Sequence, residues 1–218
     1  ITSSGDEGGP LTNGGAHEGT ITSGDLDAWT IVLDSGDSLE VQAGKLSGSD
    51  YFAPQIKVFD PAGGLLQDRW NYSAVNASHR ATIAGSYTII VSSGIAAGTG
   101  IYRLHAVRAP GAITVPAGDE GGPLTNGGGH EGTITSGDLD AWTITLARGD
   151  SLVLQAGKLS GNEYFAPGIK LFDPAGALVH DAWNYSAVSA SHRATRAGGA
   201  LCKPVSTAPE SRACKSAS

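Results

Sequence analysis

Thirteen residues, GTITSGDLDAWTI, occur twice without change, at Gly19–Ile31 and Gly132–Ile144. Each copy sets two aspartates one residue apart, just before a tryptophan. Side chains two apart on an extended strand point the same way, so Asp25 with Asp27, and Asp138 with Asp140, could reach one cation. Asp6, Glu7 and Asn13 lie upstream and could add oxygens. An all-oxygen set suits calcium, which takes about six to eight such ligands and tolerates irregular geometry. The EF-hand pattern, with its closing glutamate, is absent. The competing reading is a turn, in which Asp25 accepts backbone N–H bonds and Asp27 stays solvated where a strand begins. Fold punctuation is the first expectation and a calcium site the second.

Other groupings also carry reactive residue types. Asp68, Ser78 and His79 recur as Asp181, Ser191 and His192. A nucleophilic triad needs an activated hydroxyl, an orienting carboxylate and oxyanion donors in one geometry. Adjacent Ser and His on a strand point to opposite faces, and there is no nucleophile-elbow motif. His17 with Glu18, and His130 with Glu131, sit in Gly-rich loops with no HExxH pattern or Cys/His cluster for zinc. The histidines read as surface residues and the chain as non-enzymatic. The segment DRWNYSAV, Asp68–Val75, returns as DAWNYSAV, Asp181–Val188. Trp70 with Tyr72, and Trp183 with Tyr185, alternate with asparagine and can form platforms for a sugar ring or a peptide. The alternative places Trp70 over one end of the core, since tryptophan is mostly buried. Asn71, Asn76 and Asn184 each open an N-x-S sequon, whose meaning depends on the host.

These residues are positioned by a module written twice. Gly5–Thr82 aligns with Gly118–Thr195 at a constant offset of 113, without a gap and with fifteen differences. Such self-similarity marks a tandem duplication. Period-two alternation predicts short strands. Trp29, Ile31 and Leu33 share one face; Leu39 with Val41, Ile56 with Val58, Tyr87 with Ile89 and Val91, and Tyr102 with Leu104 and Ala106 form further inward sets. Turns separate them at Ser35–Asp37, Asp60–Gly64 and Ala97–Gly100. The second copy checks the register. Val32→Thr145, Glu40→Val153 and Gln55→Gly168 fall on outward positions, where polarity is free to change. Val41→Leu154 and Val58→Leu171 fall inward and change only in size. The expected fold class is all-β, as tandem antiparallel β-sandwich modules of jelly-roll type.

In order, GTITSGDLDAWTI, GDSLEV, IKVFDPAGGLL, AGSYTIIV and GTGIYRLHAV resemble the bacterial pre-peptidase C-terminal domain. The shared features are a Gly-initiated strand, an Asp-x-Asp-aromatic stretch, a Gly-Asp turn, a Phe-Asp-Pro-x-Gly hairpin and a closing Gly-x-Tyr strand pair. The resemblance covers essentially all of the first copy and about three quarters of the second. It implies a compact sandwich on secreted bacterial proteins, often beside a protease domain, without catalysis of its own. Relatives of this class, the collagen-binding modules of secreted collagenases, bind calcium near such an N-terminal segment.

Bulk properties narrow the function further. A net charge of −7 argues against a nucleic-acid partner, which needs clustered Lys and Arg. No run of about eighteen apolar residues marks a membrane span. The absence of methionine is read as a removed leader or a piece of a longer chain. With sparse charge and abundant glycine, this fits a secreted or cell-surface protein. Cys202 and Cys214 lie near the end of the chain, where they either staple a small loop or stay as thiols.

After Thr195 the copies diverge, and the tail has no period-two pattern. The expected organisation is a first repeat at 1–108, a linker at 109–117, an incomplete repeat at 118–199 and a divergent tail at 200–218. The second copy is then expected to lack its last two strands, with no equivalents of Tyr87, Ile89, Val91, Tyr102 and Leu104. Burying five such side chains stabilises by roughly 8–15 kcal/mol at ~1.5–3 each, as much as a whole domain's net stability. An open sheet edge and an apolar groove follow. Three outcomes stay open: a strand from another chain fills the gap, the half-module is loosely ordered, or the tail reflects an altered reading frame. The leading expectation is a non-catalytic secreted module in extracellular structure, adhesion or assembly, including strand-donated homo-oligomers or fibres. The runner-up is a calcium-dependent binder of polysaccharide or fibrous protein.

Overall fold

The computed structural model describes residues 6–206. The first copy gives β1 (Gly8–Pro10), β2 (Ala16–Ile21), β3 (Asp27–Leu33), β4 (Ser38–Gly48), β5 (Pro54–Phe59), β6 (Leu65–Trp70), β7 (Ala74–Arg80), β8 (Gly85–Ser93) and β9 (Gly100–Ala109). The second gives β10 (Gly121–Pro123), β11 (Ala141–Leu146), β12 (Ser151–Gly157), β13 (Pro167–Phe172), β14 (Leu178–Trp183), β15 (Ala187–Arg193) and β16 (Gly198–Ser206). Among the described residues no helix is long and apolar enough to cross a membrane.

Copy one is a complete sandwich. Its two sheets run β1-β3-β8-β5-β6 and β2-β9-β4-β7. Pairing is antiparallel except that β1 lies parallel to β3, Gly8 opposite Ala28. The alternation read from the sequence decides which residues face inward. Trp29, Ile31 and Leu33 are buried and Val32 is exposed. Leu39, Val41, Ile56, Val58, Tyr87, Ile89, Val91, Tyr102 and Leu104 complete one core between the sheets.

Copy two forms sheets β10-β11-β16-β13-β14 and β12-β15. Here one expectation is corrected: the tail does build a strand. β16 starts inside the repeat, crosses the expected boundary at 199/200, and sits between β11 and β13 as β8 sits between β3 and β5. The offset of the repeat persists, since Gly85 pairs with Leu33 and Gly198 with Leu146. Backbone pairing needs no particular side chain: Gly198–Cys202 pair with β11 and Leu201–Ser206 with β13, although Pro204 has no N–H to donate. The side chains do change. Ala200 and Cys202 stand where copy one has Tyr87 and Ile89, which is why no alternation announced the strand. Cys202 is a buried thiol whose pKa burial pushes up to about 12. Its suggested partner Cys214 lies outside the described residues.

The other missing strand stays missing among the described residues: nothing corresponds to β9. One consequence is local. Residues 129–134 differ from β2 only by Gly129 in place of Ala16, yet form no strand. Every β2 residue pairs with β9, so the same sequence without that neighbour has nothing to pair with.

The two sandwiches stack. The outer face of β4 and β9 packs on the outer face of β11, β13 and β16, burying Val107, Ala109, Leu139, Ala141, Phe172 and Leu201. The four sheets therefore form successive layers with three interiors between them. Both faces of β4 are covered, so every residue from Ser38 to Gly44 is buried.

Candidate functional site

The aspartates before each tryptophan do not act as pairs. Asp25 is half-buried and closes a turn, accepting from Thr22 N at 3.2 Å and Leu26 N at 2.9 Å. Asp138 accepts from Thr135 N at 3.2 Å in the same way. The turn reading describes these two residues. It fails for Asp27, expected to be solvated but fully buried on β3. Asp27 Oδ2 accepts from Tyr102 Oη at 2.5 Å, and Tyr102 Oη accepts from Trp29 Nε1 at 2.9 Å. Burial above all pushes the Asp27 pKa up to about 7, against the Tyr102 bond, which favours the charged form. Gly19 makes this packing feasible: a Cβ there would lie 2.5 Å from Tyr102 Oη and 2.6 Å from Asp27 Oδ2.

Asp140 occupies the equivalent pocket with no tyrosine. Its Oδ1 is buried and unpartnered, as is that of Asp27. Burial first, then Asp138, Asp119 and Glu120, push the Asp140 pKa up to about 8. Asp6 and Glu7 converge on Asp27, and Asp119 and Glu120 on Asp140, with ligand oxygens within 4.8 Å of one another in each group. The carboxylates expected upstream thus do gather, around Asp27 rather than Asp25. Asn13 does not join them. Its side chain holds the linker, donating to Ala112 O at 2.9 Å and accepting from Arg108 N at 2.6 Å.

The junction buries charge that sequence reading placed in solvent. Glu40 points away from its own core but lies beneath copy two, 2% exposed. It accepts from Lys170 Nζ at 2.9 Å and from Lys203 Nζ at 3.3 Å, and Lys170 also donates to Ser78 Oγ at 2.9 Å. Burial opposes the Glu40 charge, but the two lysines prevail and hold its pKa below the usual value. Burial draws the Lys203 pKa down to about 8. His105, read as a surface residue, is also buried here, because copy two covers the outward face of β9. Its Nδ1 accepts from Leu139 N at 2.9 Å, and burial lowers its pKa to about 4.

The triad residues are separated. Ser78 faces the junction and Lys170, while His79 turns to the other face and lies 5.9 Å from the Tyr87 ring. Asp68 accepts from Gln55 Nε2 at 2.6 Å. The aromatic segments do form exposed pairs. Trp70 and Tyr72 meet edge-on at 5.5 Å between ring centroids, as do Trp183 and Tyr185 at 5.5 Å. All four rings are about half exposed, so neither tryptophan caps a core.

A concavity marks the place that β9 fills in copy one. A cleft of about 1420 Å³ is lined by the apolar residues Trp142, Ile144, Leu152, Leu154, Ile169 and Cys202, with Asp140 at one wall. Segment 129–137 and β12 form its rims, and Tyr72 of copy one reaches it. In copy one β4 pairs with both β7 and β9. Among the described residues its equivalent β12 pairs with β15 alone, and its other edge of N–H and C=O groups faces the cleft without a strand partner.

No protein-family model matches the chain, and no curated protein matches it. Several solved structures are similar in fold. The pre-peptidase C-terminal domain of a collagenase from Bacillus anthracis is 16% identical, spans 48% of this chain and 99% of its own, and has a TM-score of 0.39. A periplasmic inhibitor of g-type lysozyme from Aeromonas hydrophila is 18% identical over 47% of this chain and 96% of its own, with a TM-score of 0.37. A surface-associated copper-binding protein important in copper acquisition by Methylomicrobium album BG8 is 9% identical over 47% and 98%, with a TM-score of 0.36. The chain's own sheets make it an all-β sandwich protein, the fold that its sequence resemblance to the pre-peptidase C-terminal domain implies.

Proposed function

We propose that the chain is a non-catalytic, secreted or surface-exposed module that serves extracellular assembly or adhesion by accepting an extended segment of another polypeptide. One observation carries this reading: among the described residues one edge of β12 is unpaired and opens into an apolar cleft where copy one holds a strand. Strand addition supplies the lost backbone bonds and covers the exposed core together. Hydrogen exchange with light scattering tests it. The β12 amides that face the cleft exchange faster than their β4 counterparts in the lone chain, and slow when another chain associates. A strict monomer whose β12 amides are as protected as those of β4 sinks the proposal.

A second reading has its own support. The unpartnered Oδ1 atoms of Asp27 and Asp140 sit among converging carboxylates, an oxygen-only set that suits calcium. Asp6, Glu7 and Asp27 would hold one ion and Asp119, Glu120 and Asp140 another, neutralising buried charge. Calcium titration followed by calorimetry separates the readings. Heat and a higher Tm that disappear in Asp140→Asn and Asp27→Asn support ion binding; an unchanged Tm removes it.

A further inference from the structure

Copy one contains the answer to what copy two lacks. β9 lies between β2 and β4, with Gly19, Tyr102 and Lys45 in one row and Ala43 opposite Leu104. By the offset of the repeat, the matching row in copy two runs through Gly132 and Lys158, and Ala156 awaits the Leu104 position. The pocket for Tyr102 is present there in all but the tyrosine. His130 lies 4.8 Å from the Trp142 ring, as His17 lies 4.9 Å from Trp29. A Cβ on Gly132 would lie 2.5 Å from Asp140 Oδ2, much as one on Gly19 would lie 2.6 Å from Asp27 Oδ2. The rim segment 129–134 therefore keeps its place without its partner. What is absent is the hydroxyl that links the indole N–H to the carboxylate.

Building on the strand-acceptor reading, we propose that the donor is a β9-type segment of a separate partner protein, carrying a tyrosine that binds Asp140 and Trp142. The segment places a tyrosine and small or aliphatic residues inward, as Tyr102, Leu104 and Ala106 do in copy one, with polar or basic residues between them, as Arg103 and His105. It lies antiparallel to β12, its tyrosine hydroxyl donating to Asp140 and accepting from Trp142 Nε1, as Tyr102 does with Asp27 and Trp29. Donation of β9 by a second copy brings no net gain, because each β9 that fills one place vacates another. Residues 207–218 do not match either. At the offset of the repeat they offer Ala213, Lys215 and Ala217 where copy one has Gly100, Tyr102 and Leu104. Charge agrees, since β9 carries Arg103 and Arg108 while Glu120 and Glu131 lie beside the cleft of a chain of net charge −7.

The test uses the full chain and a labelled peptide of residues 98–109, GTGIYRLHAVRA, by fluorescence anisotropy with hydrogen exchange. The peptide is expected to bind, and to slow exchange at β12 and at residues 129–134 together. Tyr→Phe in the peptide should weaken binding about tenfold on the unaltered chain, as loss of a buried hydrogen bond would. On Asp140→Ala the same change should alter binding less than about twofold, because the partner is gone. Binding that ignores Tyr→Phe overturns the tyrosine assignment and leaves the acceptor edge standing. No binding to a chain whose β12 amides exchange freely overturns the donor type alone. Protected β12 amides in a monomer without peptide overturn the acceptor reading and this proposal together. Binding that occurs only after residues 207–218 are removed identifies the chain's own end as the occupant and overturns a separate donor. So does self-association of the chain that the peptide reverses.

Discussion

Asp27 and Asp140 sit in the same thirteen-residue sequence, yet one is bonded and the other is not. Asp27 receives a hydroxyl from a strand that lies 75 residues further along the chain. Asp140 has the same tryptophan, histidine and glycine around it but no such strand. Glu40 and Val153 differ in a second way. They are equivalent in register, but Glu40 is roofed by copy two and anchors two lysines, whereas Val153 is 68% exposed. Local sequence therefore sets the pleat and the inward face, while the partner across each face is set by where the copy sits in the stack. An identical motif becomes part of a closed core in one place and a wall of an open cleft in the other.

The largest expected effect lies at the junction. Glu40→Ala leaves Lys170 and Lys203 buried without their carboxylate, and should cost about 3–5 kcal/mol. Urea unfolding should then resolve two transitions where the parent shows one, while Val153→Ala stays within about 0.5 kcal/mol. Equal effects at the two sites would show that the copies are not distinguished by the junction. A smaller effect separates Gly44 from Gly157. A Cβ on Gly44 collides with the backbone of Gly137, whereas one on Gly157 meets open space. Gly44→Ala should destabilise by about 1–3 kcal/mol through overpacking. Gly157→Ala should be neutral or slightly stabilising, since it restricts the unfolded chain. Matching melting temperatures for the pair would mean that the sheets are not this close.

The smallest effect concerns pH. Asp140 titrates near 3.8 when unfolded and about 8 when folded, chiefly because it is buried. The folded chain holds the extra proton between those values, so stability falls as pH rises from about 4 to about 8. Asp140→Asn should flatten this decline and raise stability at pH 8 by about 1 kcal/mol, or roughly 2–4 °C in Tm. Asp27→Asn should do less, because the Tyr102 hydroxyl already favours the Asp27 carboxylate. An unchanged pH profile in Asp140→Asn would show that its carboxylate is solvated.

Much of the first sandwich was legible in the sequence because period-two alternation and turn residues are local signals. Asp27–Leu33 is β3 with the expected face inward. The cleft was legible too, from the want of a second Tyr102 and Leu104. β16 was not, because Ala200 and Cys202 are small and its pairing rests on backbone groups rather than on side chains. The burial of Glu40 and His105 was hidden for a different reason. Both are outward on their own sheet, and a comparison of the copies cannot reveal that one copy roofs the other. Asp27 was misplaced because its partner lies on a distant strand; the signal was Tyr102, inward on a strand with a polar tip to satisfy.

The close approach of Gly44 to Gly137 has a consequence for the exposed ring pairs Trp70–Tyr72 and Trp183–Tyr185. With the layers pressed together, the pairs cannot swing independently, and the span between them is fixed like the teeth of a comb. A ligand with matching periodicity would engage the second pair at a high effective concentration once it held the first, and a mismatched one would gain nothing from it.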